Sequence, residues 1–261
     1  MSWLRPLGDT GMVVSALGLG TVKLGRDQGV KYPSSFRIPD ERSASALLDL
    51  ARELGINLID TAPAYGNSEQ RLGQLLAGQR QHWLICSKVG EEFADGRSSF
   101  DFSPEHTRFS VERSLARLRT DIIDIVLVHS DGGDLPINEE YGTLQVLEDL
   151  KREGLIRAFG MSTKTVEGGL AAAAASDVVM LTYNLGDTSE EAVLQRCAEL
   201  GKGALIKKAL ASGHLAGQYP DPVQASMDLV FAQPGTSAAI IGTITPDHLR
   251  SNVEAVRRTL S

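Results

Sequence analysis

Eight short apolar runs alternate with eight amphipathic stretches along this chain, and that alternation narrows the possible folds more than any other feature. The runs are VSALGLGTV, INLID, WLICSKV, IDIVLVH, IRAFGMS, DVVMLTYN, GALIKKAL and SAAIIGT. A parallel strand needs a crossover before the next strand, and helices then cover both faces of the sheet, so such strands read as near-continuous apolar runs. Eight strands and eight helices in strict order predict a (β/α)8 TIM barrel, a fold of about 250 residues. The 261 residues match one such domain over 1–261, with an N-terminal β-hairpin turning at GDTGM before the first barrel strand. A doubly wound sheet would show a G-x-G-x-x-G turn leading into a helix. GLGTVKLG does not match it, and no helix is expected after it.

Helix signals punctuate the pattern. A helix is expected from Asp40 to Leu54, closed by Gly55 after a loop at 25–39 rich in Pro, Gly and Ser. Asn67 with Gln70, and Thr188 with Glu191, have capping-box spacing. Ser103 and Pro104 open a helix running to about Arg119, with Phe109, Leu115 and Leu118 at near-helical spacing. GEEFADGRSSFDF before it reads as a long loop. A helix from Glu139 to Glu153 stops at Gly154. Gly168 and Gly169 weaken the start of an alanine-rich helix. Asp221 with Pro222, and Thr245 with Pro246, open the last two.

Charge and cysteines exclude several functions. Net charge is −7 and no basic stripe is visible, which argues against nucleic acid as a partner. Cys86 and Cys197 lie far apart in apolar surroundings, without metal-ligand spacing, and read as core thiols of a reducing cytoplasm. No run approaches the roughly 20 apolar residues of a membrane span, and the first residues lack a signal-peptide core. No metal site is expected. The chain is expected to be a cytoplasmic monomer or weak homo-oligomer.

In a TIM barrel, functional groups sit at the C-terminal ends of the strands. The second strand ends at Asp60, with Tyr65 just beyond; the third ends at Lys88 and the fourth at His129. Consecutive strands bring these four to one side of the mouth. Asp60 and Lys88 follow apolar runs, and a buried charge is tolerable when paired with its opposite. A phenol has a pKa of about 10, and a nearby ammonium is expected to lower it toward the range of a general acid. His129 then orients a substrate oxygen. A proton donor beside an orienting histidine, with no obvious nucleophile, suits carbonyl reduction, with the hydride coming from a nicotinamide or flavin. A lysine nucleophile at position 88 is the competing chemistry; Asp60 opposes it by keeping the amine charged.

GINLIDTAPAYGNSEQRLGQLL, ICSKVG, VLVHS and IIGTITPDHLRSNV resemble the aldo-keto reductase family over nearly the whole chain. The resemblance implies a small-molecule carbonyl substrate and NADPH lying extended across the mouth, with NAD possible. It implies Tyr65 as acid, Lys88 and Asp60 as its tuners and His129 as orienter. It also implies a cofactor set of Thr21, Asp60, Ser162, Thr163, Lys207, Lys208, Gly242, Thr243, His248 and Asn252, with Asn252 near the adenine. The turn at Gly242 and Thr243, leading into the last helix, independently suits an anion. The sequence departs from the family where Ser162-Thr163 replaces Ser-Asn, Met180 replaces a glutamine and Lys207 replaces a ring-stacking aromatic. His248 stands where a basic residue often grips the 2′-phosphate, with Arg250 close by. The short C-terminus implies that the loop closing over substrate is missing. These departures leave open a non-catalytic nucleotide-binding barrel that acts through a protein partner.

Overall fold

The computed structural model describes residues 2–30, 32, 34–213 and 219–261; positions 31 and 33 of the expected loop at 25–39 lie outside them. The strands in chain order are β1 (Leu4–Pro6), β2 (Val13–Ser15), β3 (Leu17–Gly20), β4 (Leu58–Asp60), β5 (Leu84–Val89), β6 (Glu91–Ala94), β7 (Arg97–Phe100), β8 (Ile123–His129), β9 (Ile156–Ser162), β10 (Val178–Thr182), β11 (Gly203–Lys207) and β12 (Thr236–Ile241). The helices are α1 (Val22–Gly25), α2 (Glu41–Glu53), α3 (Ser68–Leu75), α4 (Pro104–Leu118), α5 (Asp134–Glu139), α6 (Thr143–Arg152), α7 (Val166–Ala175), α8 (Glu191–Glu199), α9 (Pro222–Ala232) and α10 (Pro246–Leu260). Strands β3, β4, β5, β8, β9, β10, β11 and β12 close into a parallel eight-stranded barrel. The fold is a (β/α)8 barrel, and β1 and β2 form the expected N-terminal hairpin.

Successive side chains on a strand point to opposite faces, so each strand contributes every second residue to the interior. Leu58, Cys86, Ile125, Leu127, Ala158, Val178, Met180, Leu205 and Ala238 fill it. Leu7, Met12 and Val14 of the hairpin close this inner core from below. A larger apolar shell lies between sheet and helices, with Leu47, Val111, Leu147, Val193 and Val256 among its buried members. Glycine marks the tightest contacts. A Cβ at Gly160 would lie 1.6 Å from the carbonyl oxygen of Val178, and one at Gly18 would lie 2.7 Å from Cδ1 of Ile240.

Several expectations need correction. Val14 and Ser15 belong to the hairpin, so the first barrel strand is shorter than VSALGLGTV, and a one-turn helix, α1, follows it. The expected loop GEEFADGRSSFDF is instead the β6–β7 hairpin, turning at Asp95 and Gly96, both at positive φ. The helix expected from Glu139 to Glu153 is interrupted: α5 ends at Glu139, Gly142 adopts φ +76°, and α6 starts afresh. Phe109 lies on the exposed side of α4, whose buried face is Thr107, Ser110, Val111, Ser114 and Leu118. Small residues suit that face because α3 approaches closely; a Cβ at Gly73 would lie 2.1 Å from the Arg117 carbonyl. Neither capping box forms. Asn67 makes no side-chain cap, and Ser68 instead turns its hydroxyl inward to Thr21. The N-cap of α8 is Glu190, not Thr188. Asp40, Ser103 and Asp221 do cap α2, α4 and α9 through their side chains.

Candidate active site at the barrel mouth

Continuing each strand's inward parity toward its C-terminal end leads from apolar to polar residues. Leu58 is followed by Asp60, Cys86 by Lys88, Leu127 by His129, Gly160 by Ser162 and Leu205 by Lys207. These five polar residues line a cavity of about 720 Å³ at the barrel mouth, with Tyr65 on its wall. That volume lies within the usual range for a small-molecule site.

Lys88 and Asp60 form the buried ion pair expected from their strand positions. Nζ donates to Oδ1 of Asp60 at 2.5 Å and to the carbonyl of Thr61 at 2.8 Å. Burial alone lowers the lysine's pKa, but Asp60 and the neighbouring Tyr65 and Cys86 outweigh it, and the net direction is upward. Lys88 is therefore held as an ammonium, which rules against it as an amine nucleophile.

Tyr65 lies across from this pair, with the Lys88 ammonium 5.0 Å from its ring centroid. The expected lowering of its pKa is not the net result. Burial raises it most, Asp60 and Glu91 add to the rise, and the opposing pull of Lys88 is smaller. The phenol thus holds its proton at neutral pH. Lys88 acts instead by stabilising the phenolate that remains if the proton leaves.

The His129 ring meets Tyr65 edge-on, with centroids 6.2 Å apart. Its Nδ1 lies 2.7 Å from Oε2 of Glu91, a partner that a loop over 90–102 does not suggest. The Asp-Gly at 95–96, flanked by strand-forming residues, is the standard signal for a two-residue hairpin turn and points to the segment that carries Glu91. Burial lowers the His129 pKa; Lys88 and Lys207 lower it further, while Glu91 opposes them.

All but one of the expected cofactor residues reach the cavity. Thr21, Asp60, Ser162, Lys207, Lys208, Gly242, Thr243, His248 and Asn252 all line the cavity. Thr163 does not; it is one residue out of phase with Ser162 and buried, and its hydroxyl has no partner. Thr21 is engaged in the scaffold, donating to the Asp60 carbonyl at 2.9 Å and accepting from Ser68 at 2.8 Å. Lys207 bridges Ser162 and Thr163, donating to Oγ of the first at 2.9 Å and to the carbonyl of the second at 2.6 Å. Burial lowers its pKa to about 8 despite Glu190, while burial raises Glu190 to about 7. Met180 stands on the wall beside them.

The mouth differs from the rest of the molecule in charge. Among the described residues, Lys23, Arg26, Lys88, Lys207 and Lys208 face the cavity against Asp60 and Glu91, in a chain of net charge −7. The N-terminal end of α10, which opens without a side-chain cap, contributes His248, Ser251 and Asn252 to the same wall. Unpaired helix N–H groups and local cations favour an anion. The cationic lining and the α10 terminus fit a phosphate-bearing nucleotide. Among the described residues, no cluster of His, Cys, Asp and Glu could hold a metal, and no helix is long and apolar enough to cross a membrane.

Comparison with known proteins agrees with this geometry. A sequence model described as the aldo/keto reductase family matches residues 16–230. A solved structure from Pseudomonas aeruginosa, reported as a candidate aldo-keto reductase, is 59% identical with a TM-score of 0.91 and covers 99% of this chain and 95% of its own. A Bacillus subtilis protein named uncharacterized oxidoreductase YqkF is 28% identical, over 96% of this chain and 90% of its own. The NADH-specific methylglyoxal reductase of Escherichia coli is 32% identical, over 81% of this chain and 68% of its own.

Proposed function

This chain belongs to the aldo/keto reductase family, and from that premise we propose that it reduces aldehydes or ketones to alcohols with NADPH as its cofactor. The observation that carries the proposal is the inward-facing polar layer of Asp60, Lys88 and His129, with Tyr65 beside it, above an apolar barrel interior. The reduced nicotinamide supplies a hydride to the carbonyl carbon when bound. Tyr65 gives its proton to the oxygen that becomes the alcohol. Lys88 stabilises the phenolate left behind, and Asp60 keeps Lys88 charged and in place. His129 orients the carbonyl oxygen. Ser162, Thr243 and Asn252, with Lys208 and the α10 terminus, would hold the cofactor.

The preference for NADPH rests on the cationic rim, with Lys208, His248 and Arg250 exposed near the α10 terminus. The relative named as NADH-specific keeps NADH as the alternative. The engagement of Ser162 by Lys207 favours a second reading, a barrel that binds nucleotide without turnover and acts through a protein partner.

The test mixes protein, NADPH and an aromatic aldehyde and follows absorbance of the reduced cofactor. The expected result is steady consumption that falls by about 10²-fold or more in Tyr65→Phe, the usual scale for loss of a general acid. NADPH binding without turnover across a broad carbonyl panel would favour the second reading instead.

A further inference from the structure

We infer that Glu91 is a positioning residue that fixes the His129 ring with Nδ1 turned to its carboxylate, leaving Nε2 as the nitrogen available to substrate. The inference rests on the role given to His129 above.

The geometry is built from both sides. Oε2 of Glu91 lies 2.7 Å from Nδ1 in ion-pair contact, off the line of a ring N–H hydrogen bond, so the carboxylate acts on this nitrogen through its charge. Ser98 donates to Oε1 at 2.5 Å, and Nη1 of Arg26 lies 3.8 Å from the same oxygen. Arg26 is itself fixed. Its guanidinium lies 3.4 Å from the Phe93 ring centroid and donates to the carbonyls of Gln28, Ala64 and Gly29. Burial would raise the Glu91 carboxyl, but contacts with His129, Ser98 and Arg26 overcome it and bring it down to about 2. The carboxylate is therefore ionised at neutral pH, and its negative charge beside Nδ1 favours N–H over a lone pair on that nitrogen. Among the described residues, Nε2 has no hydrogen-bond partner.

The tautomer decides what His129 can do. A neutral ring with its proton on Nδ1 presents a lone pair at Nε2 and accepts from an alcohol. A protonated ring presents N–H at Nε2 and donates to a carbonyl. The charged groups facing the ring are Glu91 from the β6–β7 hairpin, Lys88 from β5 and Lys207 from β11, with Tyr65 on the loop after β4. Asp60 acts through Lys88, and Arg26 through Glu91. Of these, Glu91 is the group that favours the charged ring. Carbonyl reduction should therefore weaken as pH rises through the His129 titration, and Glu91→Gln should move that limb to lower pH.

The test uses full-length protein labelled with ¹⁵N-histidine and long-range ¹H–¹⁵N spectra over a pH titration, with His129 assigned from His129→Gln. The expected result is a neutral wild-type ring protonated at Nδ1. In Glu91→Gln, an Nε2-protonated form should appear and the midpoint should fall by about one unit, which is tenfold in the protonated fraction above both midpoints. Glu91→Asp should lie between the two. Wild-type His129 protonated at Nε2 when neutral, or a tautomer and midpoint unmoved by Glu91→Gln, would overturn the inference. The wild-type spectrum decides the tautomer even if a variant fails to fold. In parallel, the pH profile of kcat/KM for aldehyde reduction should follow the NMR midpoint. If His129→Gln reduces aldehydes at the wild-type rate while the spectra read as expected, the carbonyl role of His129 falls and the fixing of its ring by Glu91 stands.

Discussion

Replacing Asp60 with asparagine removes the counter-charge of a fully buried lysine, and the cost follows from the structure. Lys88 is 1% exposed, and besides Asp60 it donates to the Thr61 carbonyl at 2.8 Å. That carbonyl can hold a neutral amine as well as an ammonium. Without Asp60, the less costly course is for Lys88 to lose its proton on folding. At pH 7 this costs at most the gap to lysine's ordinary pKa of 10.5, about 4.8 kcal/mol at 1.36 kcal/mol per unit. That agrees with the roughly 3–5 kcal/mol for breaking buried pairs. The sign with pH is fixed. In the wild type the Lys88 pKa is raised, so its contribution is fully present below 10.5 and is lost only above it. In Asp60→Asn the folded chain binds one proton fewer than the unfolded chain, so the deficit shrinks by about 1.4 kcal/mol per unit as pH rises. At about 2.1 cal/mol/K of unfolding entropy per residue, the 261 residues convert 3–5 kcal/mol into a fall in Tm of roughly 5–9 °C. Urea unfolding at pH 7, 8 and 9, with thermal melts alongside, measures both quantities. The double variant Asp60→Asn/Lys88→Met should recover most of the loss and show no pH slope. A deficit below about 1 kcal/mol, a deficit independent of pH, or a double variant no better than Asp60→Asn would refute the reasoning.

Two further outcomes follow from other parts of the barrel. Gly160→Ala would drive a methyl into the Val178 carbonyl, and a loss of about 3 kcal/mol or more in urea unfolding is expected; a shift under about 0.5 kcal/mol would show that β9 and β10 can separate without penalty. Lys207 loses its proton as pH rises through about 8, so NADPH affinity, followed by cofactor fluorescence, should weaken across that range and with added salt; Lys207→Met should flatten the pH response, and an unchanged profile would remove Lys207 from the binding surface.

The alternation of apolar runs sufficed to read the barrel because a parallel sheet covered on both faces leaves strands continuously apolar. Asp60, Lys88 and His129 were legible for the same reason: a charge or imidazole ending such a run has few places to go except the mouth. Strand parity is legible too. It separates Ser162, which lines the cavity, from Thr163, which is buried behind it. The net direction of the Tyr65 pKa was not legible, because it depends on how deeply the ring is buried against how near Lys88 comes. Glu91 opens the β6–β7 hairpin; the Asp95-Gly96 turn marks that hairpin, but which of its residues meets His129 depends on how it folds over the mouth. The Thr188 box failed because a tertiary partner claimed its acid: Glu191 accepts from Tyr183 and Gln195; at the other, Asn67 makes no cap and Gln70 Oε1 is left without a partner among the described residues.

The β1–β2 hairpin gives the barrel a floor. With Leu7, Met12 and Val14 packed there, and Asp9 N–H bonded to the Gly201 carbonyl at 2.7 Å, the shaft above is a well with one rim. Two occupants stacked in such a well must queue, and the deeper one boards first and departs last. Protons share that doorway: Tyr65 lies on the cavity wall, so water exchanging with its hydroxyl passes the same rim.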